Sequence, residues 1–179
     1  MHIKWLGRIQ SWDEQTFFLL STKQAQRWCR QWPRWLSRTG DGYAYILACV
    51  AALLLQDPDA AILSVTLLLG FLLELPLYWL LKNTLRRQRP YQRIPRFKSQ
   101  IIAHDTFSFP SGHTTAAFMF AGLCANFMPS LGPLVYTWAA LVGLSRVLLG
   151  VHFPTDIVAG ALLGSALAAL ILVQTAGWW

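Results

Sequence analysis

After residue 40 the chain alternates long apolar runs with short polar breaks. Apolar stretches at 43–55, 60–81, 113–127, 134–149 and 154–175 carry few charges. In hydrocarbon a backbone must satisfy its own polar groups, and a helix does so internally. The pattern therefore predicts an all-α integral membrane helix bundle with about five transmembrane helices, built as a single domain over residues 1–179. The first run is short against the ~20 residues a crossing usually needs, so it is expected to begin nearer Asp41 or to sit where the bilayer is thin. Asp57-Pro58-Asp59 and the segment 128–133 read as turns, because proline and small polar residues favour them. Gly160 and Gly164 leave room for a close helix approach in the last run. Trp178 and Trp179 are expected to anchor its end at an interface.

Residues 1–40 follow a different pattern. Trp28, Trp32 and Trp35 recur at helical spacing, with Arg27, Arg30, Arg34 and Arg38 on another face. Aromatic and basic faces suit a helix lying in the headgroup layer. Pro33 interrupts the pattern, since an interior proline removes a ladder hydrogen bond. Two short interfacial helices with a break near Pro33 are expected, followed by a loop at 37–42. The first residues contain no long apolar run, so no cleavable leader is expected.

Composition narrows the class. The chain is 55% hydrophobic and 13% charged, with nine Trp and a formal net charge of +7. Soluble domains carry nearer ~25% charged residues. In a membrane setting the basic excess points to anionic lipid or a phosphorylated substrate rather than nucleic acid. Cys29, Cys49 and Cys124 show no metal or redox spacing, and the last two read as packing residues. All 15 Lys and Arg fall in residues 1–40, in 82–98, or at Arg146.

Three polar clusters stand against this apolar background: Lys82-x₆-Arg89-Pro90, Pro110-Ser111-Gly112-His113, and Ser145-Arg146-x₅-His152-x₃-Asp156. Charged groups near a membrane core are costly and therefore functional candidates. Lys82, Arg89 and Arg146 supply fixed positive charge for phosphate oxygens, Arg through paired hydrogen bonds and Lys as a point charge. Arg146 is isolated among apolar residues, whereas Arg86, Arg87, Arg93, Arg96 and Lys98 fit a basic patch on anionic lipid. Ser111 is a candidate N-cap; Gly112 lets a backbone N–H approach an anion at the helix start. Pro154 suits a first helical turn, which places Asp156 near a helix N-terminus. With five spans the three clusters emerge on one side. The first two lie on a loop expected over 82–112. His104 and Asp105 do not make a zinc-type ligand set with His113. Glu74 lies inside the second span beside Pro76, where a carboxyl is usually paired or faces a polar site; a partner in helix packing or a place near the interface is expected, with a supporting role near the active site as the alternative.

In order and internal spacing the clusters match, without substitution, the signature of the type 2 phosphatidic acid phosphatases. These are membrane relatives of vanadium haloperoxidases and bacterial acid phosphatases. The resemblance covers roughly residues 75–165. It implies a metal-independent lipid phosphatase without cofactor. His152 would be the nucleophile that becomes phosphohistidine, Asp156 its orienting carboxylate and His113 the general acid. It also implies a membrane lipid phosphate as substrate. A polyprenyl diphosphate such as undecaprenyl diphosphate is favoured, with phosphatidic acid and phosphatidylglycerophosphate as further candidates. A phosphotransferase using the same intermediate and a non-catalytic lipid-phosphate binder are the competing readings. The expected location is a bacterial inner membrane. The positive-inside rule places the site on the cytoplasmic face, whereas bacterial members of the family commonly act on the outer face. No oligomeric signal is visible.

Overall fold

The computed structural model describes residues 4–21, 28–54, 58–103 and 105–177. The expectations for Asp57, His104 and the Trp178-Trp179 end lie outside these residues. The described chain is helical: α1 (Lys4–Ser21), α2 (Trp28–Thr39), α3 (Gly42–Leu54), α4 (Pro58–Leu85), α5 (Pro90–Arg93), α6 (Gly112–Phe127), α7 (Gly132–Leu148) and α8 (Pro154–Thr175), with a 3₁₀ turn at Pro129–Leu131. No strand occurs among the described residues. Each expected apolar run forms a helix, α3, α4, α6, α7 and α8 in order. Three helical stretches are long and apolar enough to cross a membrane: Asp59–Arg93, Pro129–Leu148 and Pro154–Thr175. α3 and α6 are shorter, at 13 and 16 residues.

α6 and α8 form the centre. Glycines let their backbones meet: a Cβ at Gly164 would lie 2.2 Å from the Thr115 carbonyl oxygen, and one at Gly160 would lie 2.7 Å from that of Ser111. Around this pair, Leu67 of α4, Met119 and Leu123 of α6, and Leu167 and Ile171 of α8 share an apolar core. The outward faces stay oily, with Leu68, Leu72, Leu162 and Val173 exposed. A helix apolar on its outer face as well as its inner one is a lipid-facing helix.

Two sequence expectations change. α2 runs unbroken through Pro33. Proline costs that helix one hydrogen bond near its start, and Pro33 and Ser37 bury one face while Leu36 packs against Ala117, Ala139 and Val142. Tertiary burial outweighs the local penalty. The segment 82–112 is also not one loop, because α4 continues to Leu85 and α5 follows. The 28 residues of α4 reach roughly 42 Å at ~1.5 Å per residue, against a hydrocarbon core of ~30 Å. The extra length carries Lys82, in the last turn, to the polar layer.

α1 docks by one aromatic residue. Phe17 is fully buried, with ring centroids 5.0 Å from Phe97 and 5.7 Å from Phe153. This places the N-terminal helix directly over the turn between α7 and α8.

Gly164→Ala should lower stability by about 1–3 kcal/mol or more, because the obstructing atoms are backbone and cannot rotate away. Thermal unfolding in detergent should show this loss, with Gly7→Ala, where nothing lies within 4 Å, as the unaffected control. Equal stability of both variants would contradict the packing described.

Candidate active site

The turn between α7 and α8 holds His152 in a dry position. It is 2% exposed, with Nε2 3.4 Å from Arg89 Nη1 and Nδ1 3.5 Å from Asp156 Oδ2. The latter is an ionic contact longer than a hydrogen bond, and Nδ1 has no hydrogen-bond partner. Asp156 is in the first turn of α8, where its Oδ2 accepts the Phe153 N–H at 2.8 Å. Pro154 begins that helix as expected. Burial pushes the His152 pKa well below its ordinary value, and the nearby Arg89, Arg146 and Lys82 charges push it the same way. The ring is therefore neutral and able to offer Nε2 as a lone pair.

Lys82 and Arg89 come together although they belong to α4 and the start of α5. Both grip one carboxylate, Asp105. Lys82 Nζ donates to Asp105 Oδ1 at 2.7 Å, Arg89 Nη2 donates to the same oxygen, and the Tyr78 hydroxyl donates to Oδ2 at 2.5 Å. Arg89 also donates to the Val151 carbonyl at 2.7 Å. Burial alone would raise the Asp105 carboxyl, but hydrogen bonds from Lys82 and Tyr78 and the two cations hold it well below the usual carboxylate range. Asp105 thus sits on two of the three expected phosphate ligands. Sequence reasoning gave it no role, because nothing in its local spacing ties it to residues 16 and 23 positions away.

Arg87 is a correction. It does not belong to a lipid-facing patch: Nη1 donates to Asp156 Oδ1 at 2.6 Å and to Thr155 Oγ1 at 2.7 Å, while Nη2 donates to Asp13 Oδ2 and to Gln10 Oε1 at 2.8 Å. Asp13, on α1, is fully buried and accepts the Thr155 N–H at 3.0 Å. The N-terminal helix is therefore wired to the carboxylate behind His152. Arg87 reads as one more cation in a basic run, and the partners that single it out lie 69 and 74 positions away.

The second cluster behaves differently from a plain cap. Ser111 precedes α6, but its side chain makes no capping bond; Oγ accepts the Thr114 hydroxyl at 2.9 Å instead. Gly112 is needed for the fold itself, since a Cβ there would meet the Tyr78 ring at 2.7 Å. His113 Nε2 lies 2.8 Å from Asp41 Oδ1. The carboxylate accepts, which fixes the ring orientation and its Nε2 proton. Asp41 directly precedes α3, where the first span was expected to begin.

Arg146 is 4% exposed. Nη1 donates to Ser37 Oγ at 2.6 Å, Nε has no partner, and no ion pair reaches the group among the described residues. It lines a cavity of about 180 Å³ with Ser37, Asp41, His113 and Leu149. A second cavity of about 340 Å³ adjoins at His113 and is also lined by Glu74. Among the described residues no three His, Cys, Asp or Glu side chains converge as a metal ligand set.

Residues 59–179 match the family model described as PAP2 superfamily. The chain is 36% identical over 95 residues to decaprenylphosphoryl-5-phosphoribose phosphatase of Mycobacterium tuberculosis, covering 51% of this chain and 50% of that protein. It is 32% identical over 148 residues to undecaprenyl-diphosphatase of Sulfolobus acidocaldarius, covering 79% of this chain and 69% of that one. Its fold matches the crystal structure of a transmembrane PAP2 type phosphatidylglycerolphosphate phosphatase from Bacillus subtilis with TM-score 0.76 and 26% identity, over 95% of this chain and 87% of that one. The present chain is, by its apolar helices and these neighbours, an integral membrane protein.

If Asp105 fills the place of an anion between Lys82 and Arg89, Asp105→Asn should bind inorganic phosphate about ten-fold more tightly. Titration calorimetry in detergent measures this. Weaker binding would instead make Asp105 a support that holds the two cations in place.

Proposed function

The chain belongs to the PAP2 superfamily, and we propose that it is a metal-independent phosphatase of a membrane lipid phosphate or diphosphate. One observation carries the reading: Arg146 is a buried guanidinium with no direct ion pair among the described residues, on a cavity it shares with Asp41 and His113. A buried charge without a counter-charge is unstable, and a phosphate dianion is the counter-charge this geometry fits. The chemistry then follows from the residues. Lys82, Arg89 and Arg146 hold the phosphate oxygens, with Ser111 and the Gly112 N–H beside them. Nε2 of His152 attacks phosphorus as the bond to the leaving oxygen breaks, and His113 gives that oxygen a proton. Asp156 supports the charge that develops on His152. Water next attacks the phosphohistidine, His113 takes its proton, the N–P bond breaks and inorganic phosphate leaves.

The lipid tail has a place to lie. An apolar groove of about 590 Å³ runs between α3 and α4, lined by Ile46, Val50, Leu53, Leu68 and Phe71. It shares Tyr45, Phe71 and Leu75 with the cavity at His113. A bilayer lipid fits the groove with its headgroup at the catalytic end. Residues 1–40 act with the bundle as one domain at the headgroup layer, where Trp12 and Trp35 are exposed. Lys82, Arg87, Arg89 and Arg146 belong to the site and drop out of a topology count. The exposed Arg34, Arg38, Arg86 and Arg93 still favour a cytoplasmic mouth in a bacterial inner membrane.

His152→Ala should lower phosphate release by at least ~10³-fold while the protein stays folded. Arg146→Lys, which keeps charge but loses the planar fork, should cost ~10²–10³-fold in kcat/KM. Both are read by free phosphate released from lipid substrates in detergent. Near-normal turnover by either would remove that residue from the mechanism, and a phosphorylated lipid in place of free phosphate would make the protein a transferase. Because the His152 pKa is lowered, the ring gains its proton only below the ordinary imidazole value of ~6.5. The acid limb of kcat/KM should therefore lie below that value, once the substrate's own ionisation near ~6 is allowed for. A limb at or above ~6.5 would contradict a neutral, buried nucleophile.

A further inference from the structure

The turn that joins α2 to α3 brings two side chains against residues of the site. Ser37 Oγ accepts from Arg146 Nη1. Asp41 comes four residues later, with Oδ1 2.8 Å from His113 Nε2. Both lie before residue 59, where the family match begins.

The turn is pinned in three ways. Its own backbone closes it: the Gly40 N–H donates to the Ser37 carbonyl at 3.1 Å, and the Asp41 N–H to that of Arg38 at 3.1 Å. Trp138 Nε1 of α7 donates to Thr39 Oγ1 at 2.9 Å. Gly40 packs directly on α7 and α6, since a Cβ there would lie 2.9 Å from Val142 Cγ1 and 3.7 Å from His113 Cδ2. A fixed backbone therefore presents Asp41 to His113. The same contacts orient the imidazole. Its Nε2 and Cδ2 form the edge turned to the α2–α3 turn, which puts Nδ1 on the other side of the ring.

A general acid must carry a proton it can give away. With the Nε2 proton held by Asp41, the proton for the leaving oxygen comes from Nδ1, so the working form of the ring is the imidazolium. Its surroundings oppose a further positive charge, because Arg34, Arg38 and Arg146 line the cavity that His113 shares with Asp41. Asp41 is the one acid on that lining. Glu74 lines the second cavity at His113, but Asp41 is the carboxylate in hydrogen-bond contact with the ring.

We infer that Asp41 is a positioning residue for the general acid: its carboxylate holds the His113 Nε2–H and stabilises the imidazolium whose Nδ1–H serves the leaving group. A carboxylate behind a histidine has the same part in a hydrolase triad. In the first step His152 Nε2 bonds to phosphorus, the bond to the leaving oxygen breaks, and the Nδ1 proton passes to that oxygen. His113 is left neutral with its Nε2–H still on Asp41. In the second step water adds to phosphorus, one of its protons returns to Nδ1, and the N–P bond breaks. The proton matters most where an alkoxide leaves, as from a lipid phosphate monoester, and least where the leaving group is a stable anion, as from a diphosphate. The inference rests on the phosphatase reading.

The test compares kcat/KM of the full chain in detergent on phosphatidic acid, which loses an alkoxide, with that on farnesyl diphosphate and 4-nitrophenyl phosphate, which lose stable anions. Asp41→Asn keeps an acceptor for the Nε2–H and removes the charge. It should lower kcat/KM on phosphatidic acid by about ten- to a hundred-fold, and on the other two by less than about three-fold. His113→Ala should show the same pattern, and in that background Asp41→Asn should cost less than about two-fold more. Thermal unfolding confirms the fold of each variant. Equal losses on all three substrates by a folded Asp41→Asn, or losses that multiply in the double variant, would overturn the role and leave the phosphatase reading intact. Release by the wild type from none of the three would overturn the phosphatase reading, and the role with it. Should Asp41→Asn fail to fold, histidine ¹⁵N NMR of the wild type decides, with the His113 signals assigned by their loss in His113→Ala. Both ring nitrogens should carry protons at neutral pH, and a ring without the Nδ1 proton would overturn the role.

Discussion

A small apolar bundle can hold a charge out of water only by answering it with an opposite one, and this protein gathers four cations at one end. Lys82 and Arg89 are answered by Asp105, and Arg87 by Asp13 and Asp156. Arg146 has only the Ser37 hydroxyl among the described residues. Removing one partner from a buried pair is strongly destabilising, so Asp13 and Asp156, both fully buried, are tied to Arg87 as firmly as core side chains. The pairing also orders the fold. It fixes the end of α4 against α5, the segment before α6 against both, and α1 against the start of α8.

That arrangement gives His152 its chemistry. The same burial that makes the cations costly keeps the imidazole neutral, and the cations around it act in the same direction. Catalysis by fixed charge is strongest where the charges are already placed and water is excluded. The N-terminal helix contributes to this. Asp13 and Gln10 hold Arg87, and Arg87 holds Asp156. The family match begins only at residue 59, so the helix that braces Asp156 through Arg87 lies outside the matched region.

Much of this was readable in the chain. Helix positions followed from the apolar runs, because burial in lipid or core decides them. The three clusters announced Lys82, Arg89, His113, Arg146, His152 and Asp156, since those residue types are costly anywhere else in such a sequence. The glycine pair at Gly160 and Gly164 signalled a close approach, which α6 supplies. What stayed hidden were the counter-charges. Asp13, Asp41 and Asp105 sit in ordinary polar segments, and only the tertiary fold brings them to Arg87, His113 and Lys82. Pro33 misled for a related reason. Its local cost is real, but the buried face of α2 is set by partners that periodicity does not reveal. Glu74 was visible as a carboxyl inside a span, yet only the fold places it on one cavity with His113.

In the proposed mechanism Lys82, Arg89 and Arg146 hold a phosphate against the Nε2 of a neutral His152. Rapid quenching of the full chain with a ³²P-labelled lipid phosphate, followed by peptide mapping, tests it directly. A transient label that survives base, is lost in acid, and maps to His152 is expected. Label on another residue, or turnover with no covalent label at any quench time and inversion at a chiral phosphorus, would contradict it.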